Sequence, residues 1–215
     1  MLNAIPLFHN FNDLQLQSVG AHLALRVFEK GEIILREGER GDAMYVVVSG
    51  QVKVFSTDDD DNSREVILKI LGAGEFFGEL PVFDNEPRSA SVSAIERCHL
   101  QVLSYRAFQR SIESSPDIAQ KVLETLARRL RAADRRIGDL ALLGISGRIS
   151  RVLLELAIMS NGQRVVGEPF TQKDLASMIG ASREMVNRTL KDFEDNGYIA
   201  IQRQSITLLK DEMPT

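Results

Sequence analysis

Cysteine and tryptophan are nearly missing from this chain, which has one Cys and no Trp in 215 residues. A single cysteine excludes a disulfide framework within the chain and any iron–sulfur or metal site that needs four thiolates from one chain. Long apolar runs are missing as well, so no segment approaches the roughly 20 residues that span a bilayer. The first residues, MLNAIPLFHNF, lack a basic leader ahead of a hydrophobic run. We therefore expect a cytoplasmic protein with no membrane contact and no metal.

An excess of basic residues, the usual first sign of a nucleic-acid-binding protein, is also missing. The chain has 26 Lys+Arg against 30 Asp+Glu, a formal charge of −4. The charge is unevenly shared, because residues 1–115 carry 17 acids against 11 bases (−6) and residues 116–215 carry 13 against 15 (+2). A phosphate backbone contacts the charges of the local protein surface and not the net charge of the whole chain. The negative net charge therefore does not exclude binding to nucleic acid.

Three regions of the chain differ in their residue pattern. Residues 1–115 begin with short helices over residues 3–24 and continue as short β-prone runs separated by glycine-containing turns, typical of an antiparallel barrel, roll or sandwich. Those runs are Ile33–Leu35, Tyr45–Val48, Val52–Phe55, Val66–Ile70, Ala90–Ser93 and His99–Leu103. Residues 116–140 form one long helix that starts at Pro116. Residues 141–215 alternate helix and turn, after a hinge at 139–147, and include a polar loop at 160–167.

The long helix carries apolar residues at alternating spacings of four and three. They are Ala119, Leu123, Leu126, Leu130, Ala133, Ile137 and Leu140. A strict heptad seam favours a partner helix, because a lone amphipathic helix drifts at 3.6 residues per turn. We expect a parallel homodimer through residues 119–140; packing of this helix on the β-rich part of its own chain is the alternative.

Residues 76–90 read FFGELPVFDNEPRSA. Gly78 allows a backbone to approach a ligand closely, and Arg88 offers a planar fork for phosphate oxygens, with the hydroxyl of Ser89 beside it. Glu79 only accepts hydrogen bonds when ionised and therefore suits a sugar hydroxyl. Together they describe a pocket for a nucleotide monophosphate; an ion pair between Glu79 and Arg88 that merely closes a loop is the alternative.

Residues 171–190 read TQKDLASMIGASREMVNRTL, two short helices that meet at a glycine turn. Thr171 and Ser182 are the expected N-caps. Arg183, Glu184 and Arg188 share the exposed start of the second helix, where Arg can bind guanine and Glu can accept from cytosine. The alternative is an ordinary surface ion pair at i,i+4. The expected core residues are Leu175, Ala176, Ile179, Val186 and Leu190.

The motifs FGEL…PRSA and SREMVNR resemble those of bacterial regulators in the cyclic-AMP receptor protein and fumarate–nitrate regulator superfamily, and residues 5–209 are similar in order. The resemblance implies an α+β fold: a cyclic-nucleotide-binding antiparallel β-roll (double-stranded β-helix), a long dimerisation helix and a C-terminal winged helix-turn-helix. It implies that Gly78 and Glu79 contact the ribose and that Arg88 and Ser89 hold the cyclic phosphate. Leu80 and Ala90 complete the cassette.

This sequence differs from cyclic-AMP receptor proteins at the two positions expected to contact the base of the nucleotide. Where cyclic-AMP receptor proteins have Thr and Ser on the long helix, alignment places Ala133 and Asp134. The Asp134 carboxylate can accept from the exocyclic amine of adenine or from two donors of guanine. Cyclic AMP is the first choice, followed by cyclic GMP or a cyclic dinucleotide such as c-di-GMP; a pocket without a ligand is a further alternative.

The resemblance also implies a transcription regulator that reads a palindrome of TGTGA-type half-sites through Arg183, Glu184 and Arg188. Thr171, Gln172, Lys173 and Ser182 are expected phosphate contacts. The terminal hairpin with Arg203 resembles a wing. The family implies contact with RNA polymerase, which we expect through residues 160–167.

Other classes of protein fit less well. The family's iron–sulfur sensor needs four cysteines, and a haem ligand is not indicated at Cys98 or His99. The three histidines, His9, His22 and His99, are scattered, so no catalytic or metal-ligand constellation is visible and an enzyme such as a cyclic-nucleotide hydrolase is disfavoured. A nucleotide-binding regulatory module without DNA function is the second rival, against which SREMVNR argues.

Overall fold

The computed structural model describes residues 23–58, 65–114, 116–167, 170–202 and 205–214. The chain forms two compact units. The first contains residues 1–56 and 68–130, and the second contains residues 57–67 and 131–215. The short helices expected over residues 3–22 and the residue Arg203 lie outside the described ranges.

The β-rich region is a pair of four-stranded sheets. Their orders are β1-β8-β3-β6 and β2-β7-β4-β5, and β1–β8, β8–β3, β3–β6, β2–β7 and β7–β4 pair antiparallel. The strands are β1 (Leu23–Phe28), β2 (Ile33–Leu35), β3 (Ala43–Ser49), β4 (Val52–Thr57), β5 (Glu65–Leu71), β6 (Phe76–Phe77), β7 (Ser91–Ala94) and β8 (Cys98–Ser104). This confirms the antiparallel roll and all six predicted strands.

Two strands of the β-rich region were not predicted. β1 includes Ala24, which the sequence placed at the end of a helix, and pairs with β8 over its whole length. β6 consists only of Phe76 and Phe77, both buried, and two residues are too few to show the alternation that identifies a strand. β6 nevertheless matters, because it delivers the chain to Gly78.

Helices close the first unit. They are α1 (Leu80–Asp84), α2 (Tyr105–Ser114) and the first part of the long α3 (Pro116–Leu142), whose residues 131–142 belong to the second unit. Ile118 and Val122 of α3 are 1% exposed and pack with Phe108 of α2 in the core of the roll. Leu126, a seam residue, also packs partly against that cluster. The beginning of α3 therefore does pack on its own chain, as the alternative held.

The rest of the seam is uncovered on a single chain. Leu123, Leu130 and Ile137 are 65%, 64% and 66% exposed. Leu140 is also exposed. Burying a leucine or isoleucine side chain stabilises by roughly 1.5–3 kcal/mol, so this row of apolar residues forgoes stabilisation that a partner helix would provide.

The second unit contains α4 (Ile145–Leu156), α5 (Gln172–Ile179) and α6 (Arg183–Asp195). Its four strands are β9 (Ile158–Ser160), β10 (Gln163–Val166), β11 (Ile199–Gln202) and β12 (Ser205–Leu208), in one sheet of order β11-β12-β10-β9. The predicted hairpin near the C-terminus is confirmed as β11 and β12.

Two expectations about connections were wrong. The polar loop at 160–167 is the turn and second strand of a β-hairpin, because Asn161 and Gly162 both adopt positive φ (49° and 78°) and turn β9 into β10. The hinge at 139–147 is shorter than expected, since α3 continues to Leu142 and α4 begins at Ile145. Gly147 is buried within α4 rather than free to act as a pivot.

Within the described residues, no helix is both long enough and apolar enough to cross a membrane.

Candidate nucleotide-binding and DNA-binding sites

The loop from Gly78 to Ala90 folds around one guanidinium. Gly78 has a φ of +75°, and a Cβ there would lie 2.7 Å from Nη1 of Arg88. Glu79 occupies the N-cap position of α1 without a side-chain cap bond, and Asn85 ends the helix with a φ of 58°. Glycine is needed at position 78 both for the backbone conformation and for the approach of Arg88.

Arg88 is 6% exposed and is held by neutral oxygens. Its Nη1 donates to the carbonyl of Gly78 and to the hydroxyl of Tyr105, both at 2.7 Å, and its Nη2 donates to the carbonyl of Ala43 at 2.7 Å. These bonds use three of the five N–H groups of the guanidinium. The two that remain can donate to a ligand from a fork whose orientation is already set.

Tyr105 and Gly41 complete the surroundings of Arg88, and sequence reasoning missed both. Burial raises the pKa of the Tyr105 phenol, an effect the charge of Arg88 partly opposes, and its hydroxyl donates to the carbonyl of Gly78 at 2.9 Å. A Cβ on Gly41 would lie 2.2 Å from Nη2 of Arg88. Nothing local in the sequence links Gly41 to Arg88.

Glu79 pairs with Arg129 of α3 and not with Arg88, so the predicted alternative of a Glu79–Arg88 ion pair is wrong. The carboxylate is 3% exposed, and its Oε1 accepts from Nη1 of Arg129 at 2.5 Å. Arg129 also donates to the carbonyl of Phe76 and lies 4.8 Å over the Phe76 ring. Arg129 binds one oxygen of the Glu79 carboxylate and so fixes the side chain in place. The second carboxylate oxygen can still accept a hydrogen bond from a ligand.

The remaining cassette residues differ in exposure. Ala90 is buried, Ser89 is exposed and Leu80 is 38% exposed. Ala133 and Asp134 are exposed on the part of α3 that belongs to the second unit. Gly78, Glu79, Leu80, Arg88, Ser89 and Ala90 thus lie together in one cassette of the first unit.

The helix-turn-helix forms as the sequence predicted. Thr171 caps α5 by accepting from the backbone N–H of Asp174, whose carboxylate accepts in return from the backbone N–H of Thr171. α5 ends at Gly180 (φ 66°), and Ser182 caps α6 by accepting from the N–H of Met185 at 3.2 Å. All five predicted core residues are buried: Leu175, Ala176, Ile179, Val186 and Leu190.

The expected base-reading residues form an exposed group at the start of α6. Arg183, Glu184 and Arg188 are all exposed. In the described part of the chain, no ion pair joins Glu184 to Arg188, so the alternative of a simple surface pair finds no support. Their side chains are available to a partner.

The expected phosphate contacts are also exposed, at the starts of α5 and α6. Gln172 and Lys173 begin α5, and Thr171 and Ser182 are the two caps. The hydroxyl of Thr171 is already engaged, because it donates to Oδ2 of Asp174 at 2.6 Å. The described residues contain no group of three or more His, Cys, Asp or Glu that could hold a metal ion.

Comparison with known proteins identifies two domains in this chain. Residues 25–115 match the family model described as cyclic nucleotide-binding domain, and residues 147–212 match the Crp-like helix-turn-helix domain. A CRP-like cAMP-activated global transcriptional regulator of Mycobacterium tuberculosis is 35% identical over 189 residues, 86% of this chain and 84% of the relative. This chain belongs to the CRP/FNR family of transcription regulators.

Other CRP/FNR members extend the comparison. The cAMP-activated global transcriptional regulator CRP of Salmonella typhimurium is 31% identical over 195 residues, covering 87% of this chain and 90% of the relative. Among solved structures, the c-di-GMP responsive regulator CLP of Xanthomonas campestris superposes with a TM-score of 0.78 at 27% identity, covering 93% of this chain and all of that chain. The CRP/FNR fold predicted by the resemblance is confirmed, and these homologues are transcription regulators rather than enzymes.

Proposed function

We propose that this protein is a homodimeric regulator that binds a palindromic DNA operator under the control of a cyclic nucleotide, with cyclic AMP as the first choice. The observation that carries the proposal is Arg88, a buried guanidinium oriented by three bonds to neutral oxygens with two N–H groups left to donate. A charged fork of this kind is suited to phosphate oxygens. The relatives from Mycobacterium tuberculosis and Salmonella typhimurium, which are described as cAMP-activated, support the choice of nucleotide.

In this proposal Arg88 and Ser89 hold the cyclic phosphate. Gly78 and Glu79 contact the ribose, the latter through the carboxylate oxygen that Arg129 does not engage. Leu80 and Ala90 line the cassette. The domains are residues 1–115 for the nucleotide, 116–140 for dimerisation and 141–215 for DNA.

The base of the nucleotide is assigned to Ala133 and Asp134, which are exposed. The side chain of Ala133 cannot hydrogen-bond, so the carboxylate of Asp134 is the acceptor available to the exocyclic amine of adenine. The same carboxylate can accept two donors from guanine. The structural relative from Xanthomonas campestris is described as c-di-GMP responsive, so cyclic GMP and c-di-GMP belong in any test.

On the DNA side, Arg183, Glu184 and Arg188 enter the major groove and read a TGTGA-type half-site. Thr171, Gln172, Lys173 and Ser182, with Arg203 of the wing, contact phosphates and set the register. The exposed seam of α3 joins two protomers, so that two recognition helices meet a palindrome. The β9–β10 hairpin, with its exposed Ile158 and Met159, contacts RNA polymerase.

The decisive measurement is the DNA affinity of the wild type and of Arg183→Ala on a TGTGA palindrome and on a scrambled duplex, each with no nucleotide, cyclic AMP, cyclic GMP or c-di-GMP. One bidentate Arg–guanine contact is worth about 1–3 kcal/mol, so affinity for the palindrome should fall about tenfold or more in Arg183→Ala. Affinity for the scrambled duplex should change little. Arg106→Ala is the matched control, since Arg106 is an exposed arginine of α2 in the first unit.

Four results would contradict the proposal. Equal wild-type affinity for both duplexes would refute sequence-specific binding, and an unchanged ratio in Arg183→Ala would refute the assigned reader. A DNA affinity that no nucleotide alters would refute the control by ligand. Turnover of cyclic AMP by the purified protein would favour the hydrolase instead.

A further inference from the structure

The last turn of α5 is held by two arginines from other helices. Arg148 of α4 donates through Nη1 to the carbonyl of Ile179 at 2.7 Å, and Arg136 of α3 donates through Nη2 to the carbonyl of Met178. The last carbonyls of a helix have no partner within the helix, and a cation is favourable there. The first helix of the helix-turn-helix is therefore anchored at the end that leads directly into Gly180 and the recognition helix α6.

Arg136 differs from an ordinary helix cap because it also binds a third segment. The same Nη2 donates to the carbonyl of Ile67 in β5 at 2.7 Å. Its two hydrogens thus connect α3 to β5 and to α5, segments that lie 69 and 42 residues away along the chain. β5 runs on to Leu71, seven residues before Gly78 of the cassette.

Arg136 is placed where burial is costly. Desolvation lowers the pKa of its guanidinium, and the charge of Glu155 on α4 opposes that shift. Arg136 is partly buried, and a cation that loses water needs acceptors to compensate; the two carbonyls contribute to that compensation. Separating the three segments would break these bonds and leave the charge of Arg136 less well compensated.

The position of Arg136 on α3 relates it to the nucleotide cassette. Arg129, which binds Glu79 and the carbonyl of Phe76, precedes Arg136 by seven residues, about two helical turns, so the two side chains leave nearly the same face of α3. One continuous helix therefore carries the partner of the proposed ribose acceptor and, two turns on, the anchor of α5. Asp139 adds only a 3.8 Å contact to the exposed Arg151 of α4, and ion pairs near the surface contribute little.

We propose that Arg136 is the positioning residue that couples the nucleotide cassette to the helix-turn-helix, by binding β5 and α5 to the same turn of α3. The inference rests on the proposed function and adds the residue through which the ligand acts on DNA affinity. If nucleotide contacts at Glu79 shift α3 or β5, we expect α5 to shift as well, because Arg136 lies on α3 and binds both β5 and α5. The coupling equals the ratio of DNA affinities with and without nucleotide.

The test compares this coupling ratio in the wild type, Arg136→Met, Arg136→Lys and the control Arg135→Met. Methionine keeps an unbranched apolar stem without any donor, whereas lysine keeps a charge that can reach at least one carbonyl. Arg135 is the exposed neighbour on α3. We expect the ratio to fall at least fivefold in Arg136→Met, to fall less in Arg136→Lys, and to stay within twofold of the wild type in Arg135→Met.

A second readout needs neither ligand nor DNA. Amide hydrogen exchange of the free proteins should become faster over both 65–71 and 172–180 in Arg136→Met, and over neither in Arg135→Met. A wild-type coupling ratio of one refutes the proposed function, whereas a normal wild-type ratio that Arg136→Met leaves intact overturns this inference alone. Unchanged exchange at either segment in Arg136→Met also overturns it. If Arg136→Met does not fold, Arg136→Lys serves as the test. An unchanged coupling ratio in Arg136→Lys, together with unchanged hydrogen exchange over 65–71 and 172–180, would then refute the role of Arg136.

Discussion

At the scale of single residues, Arg88 is a buried cation whose described partners are a phenol and two carbonyls. Neutral oxygens orient a guanidinium but do not neutralise it. A phosphate would supply the missing charge through short, charge-assisted bonds. Because the orientation is set before the ligand arrives, binding does not have to immobilise the side chain, which otherwise costs about 0.5–1.5 kcal/mol.

Gly41 provides a way to disturb that orientation without removing Arg88. A Cβ at position 41 would overlap the guanidinium at 2.2–2.5 Å, and because a guanidinium is the far end of a flexible side chain it would move aside. We predict that Gly41→Ala lowers nucleotide affinity at least tenfold in isothermal titration calorimetry while changing the melting temperature little.

Gly72→Ala is the matched control for Gly41→Ala. It makes the same substitution in the first unit, where a Cβ would meet nothing within 4 Å and the φ is not positive. Its nucleotide affinity should equal that of the wild type. Wild-type affinity in Gly41→Ala as well would show that the observed position of Arg88 is not the binding position.

At the scale of the elements, α3 has two apolar faces with different partners. Ile118 and Val122 are buried in the roll of their own chain, whereas Leu123, Leu130 and Ile137 are exposed. The heptad pattern indicated the second face, but its burial by a second chain remains a prediction. Leu126, which belongs to the seam and also packs on the roll, shows that the two faces adjoin.

The seam of α3 predicts a dimer interface that a single charged substitution would disrupt. Leu130 is 64% exposed in the single chain, so Leu130→Glu should leave the protomer folded but place a carboxylate in an apolar interface, which is costly. We predict that Leu130→Glu sediments as a monomer at concentrations where the wild type is a dimer.

Leu142→Glu makes the same change off the seam, at a leucine of α3 that is 85% exposed. It should sediment like the wild type. A wild-type monomer, or a dimer that persists in Leu130→Glu, would contradict the proposed interface.

Elements whose signals are local were predictable from the sequence. The caps Thr171 and Ser182, the turn at Gly180 and the buried face of α5 and α6 depend on residues within a few positions of one another. The hairpin at β9–β10 was missed although Asn161-Gly162 is a strong turn signal, because the flanking residues are largely exposed and show no alternation of burial.

The contacts that build the cassette were not predictable in the same way. Glu79 finds its partner 50 residues further on, at Arg129, and Arg88 finds carbonyls at Ala43 and Gly78. Arg128, Arg129 and Arg131 are similar in the sequence, and only the packing of α3 on the roll selects Arg129. The sequence indicated which residues carry chemistry, whereas their partners depend on tertiary packing.

At the scale of the whole molecule, the charge is divided so that the acidic excess lies in residues 1–115 and a small basic excess in residues 116–215. DNA binding releases about 0.9 counterions for each phosphate that the protein neutralises. An acidic chain therefore depends on a few local cations for affinity, and each of these has a measurable share of the salt dependence.

Lys173 is such a cation, exposed in the first turn of α5. We predict that Lys173→Gln weakens binding to the palindrome and to a scrambled duplex by similar factors, because a phosphate contact carries no sequence information. The slope of log K against log salt should become shallower by about 0.9 for each protomer that loses one contact. Lys30→Gln, an exposed lysine of the first unit, should leave the slope unchanged. An unaltered slope in Lys173→Gln, or weakening confined to the palindrome, would remove Lys173 from the phosphate contacts.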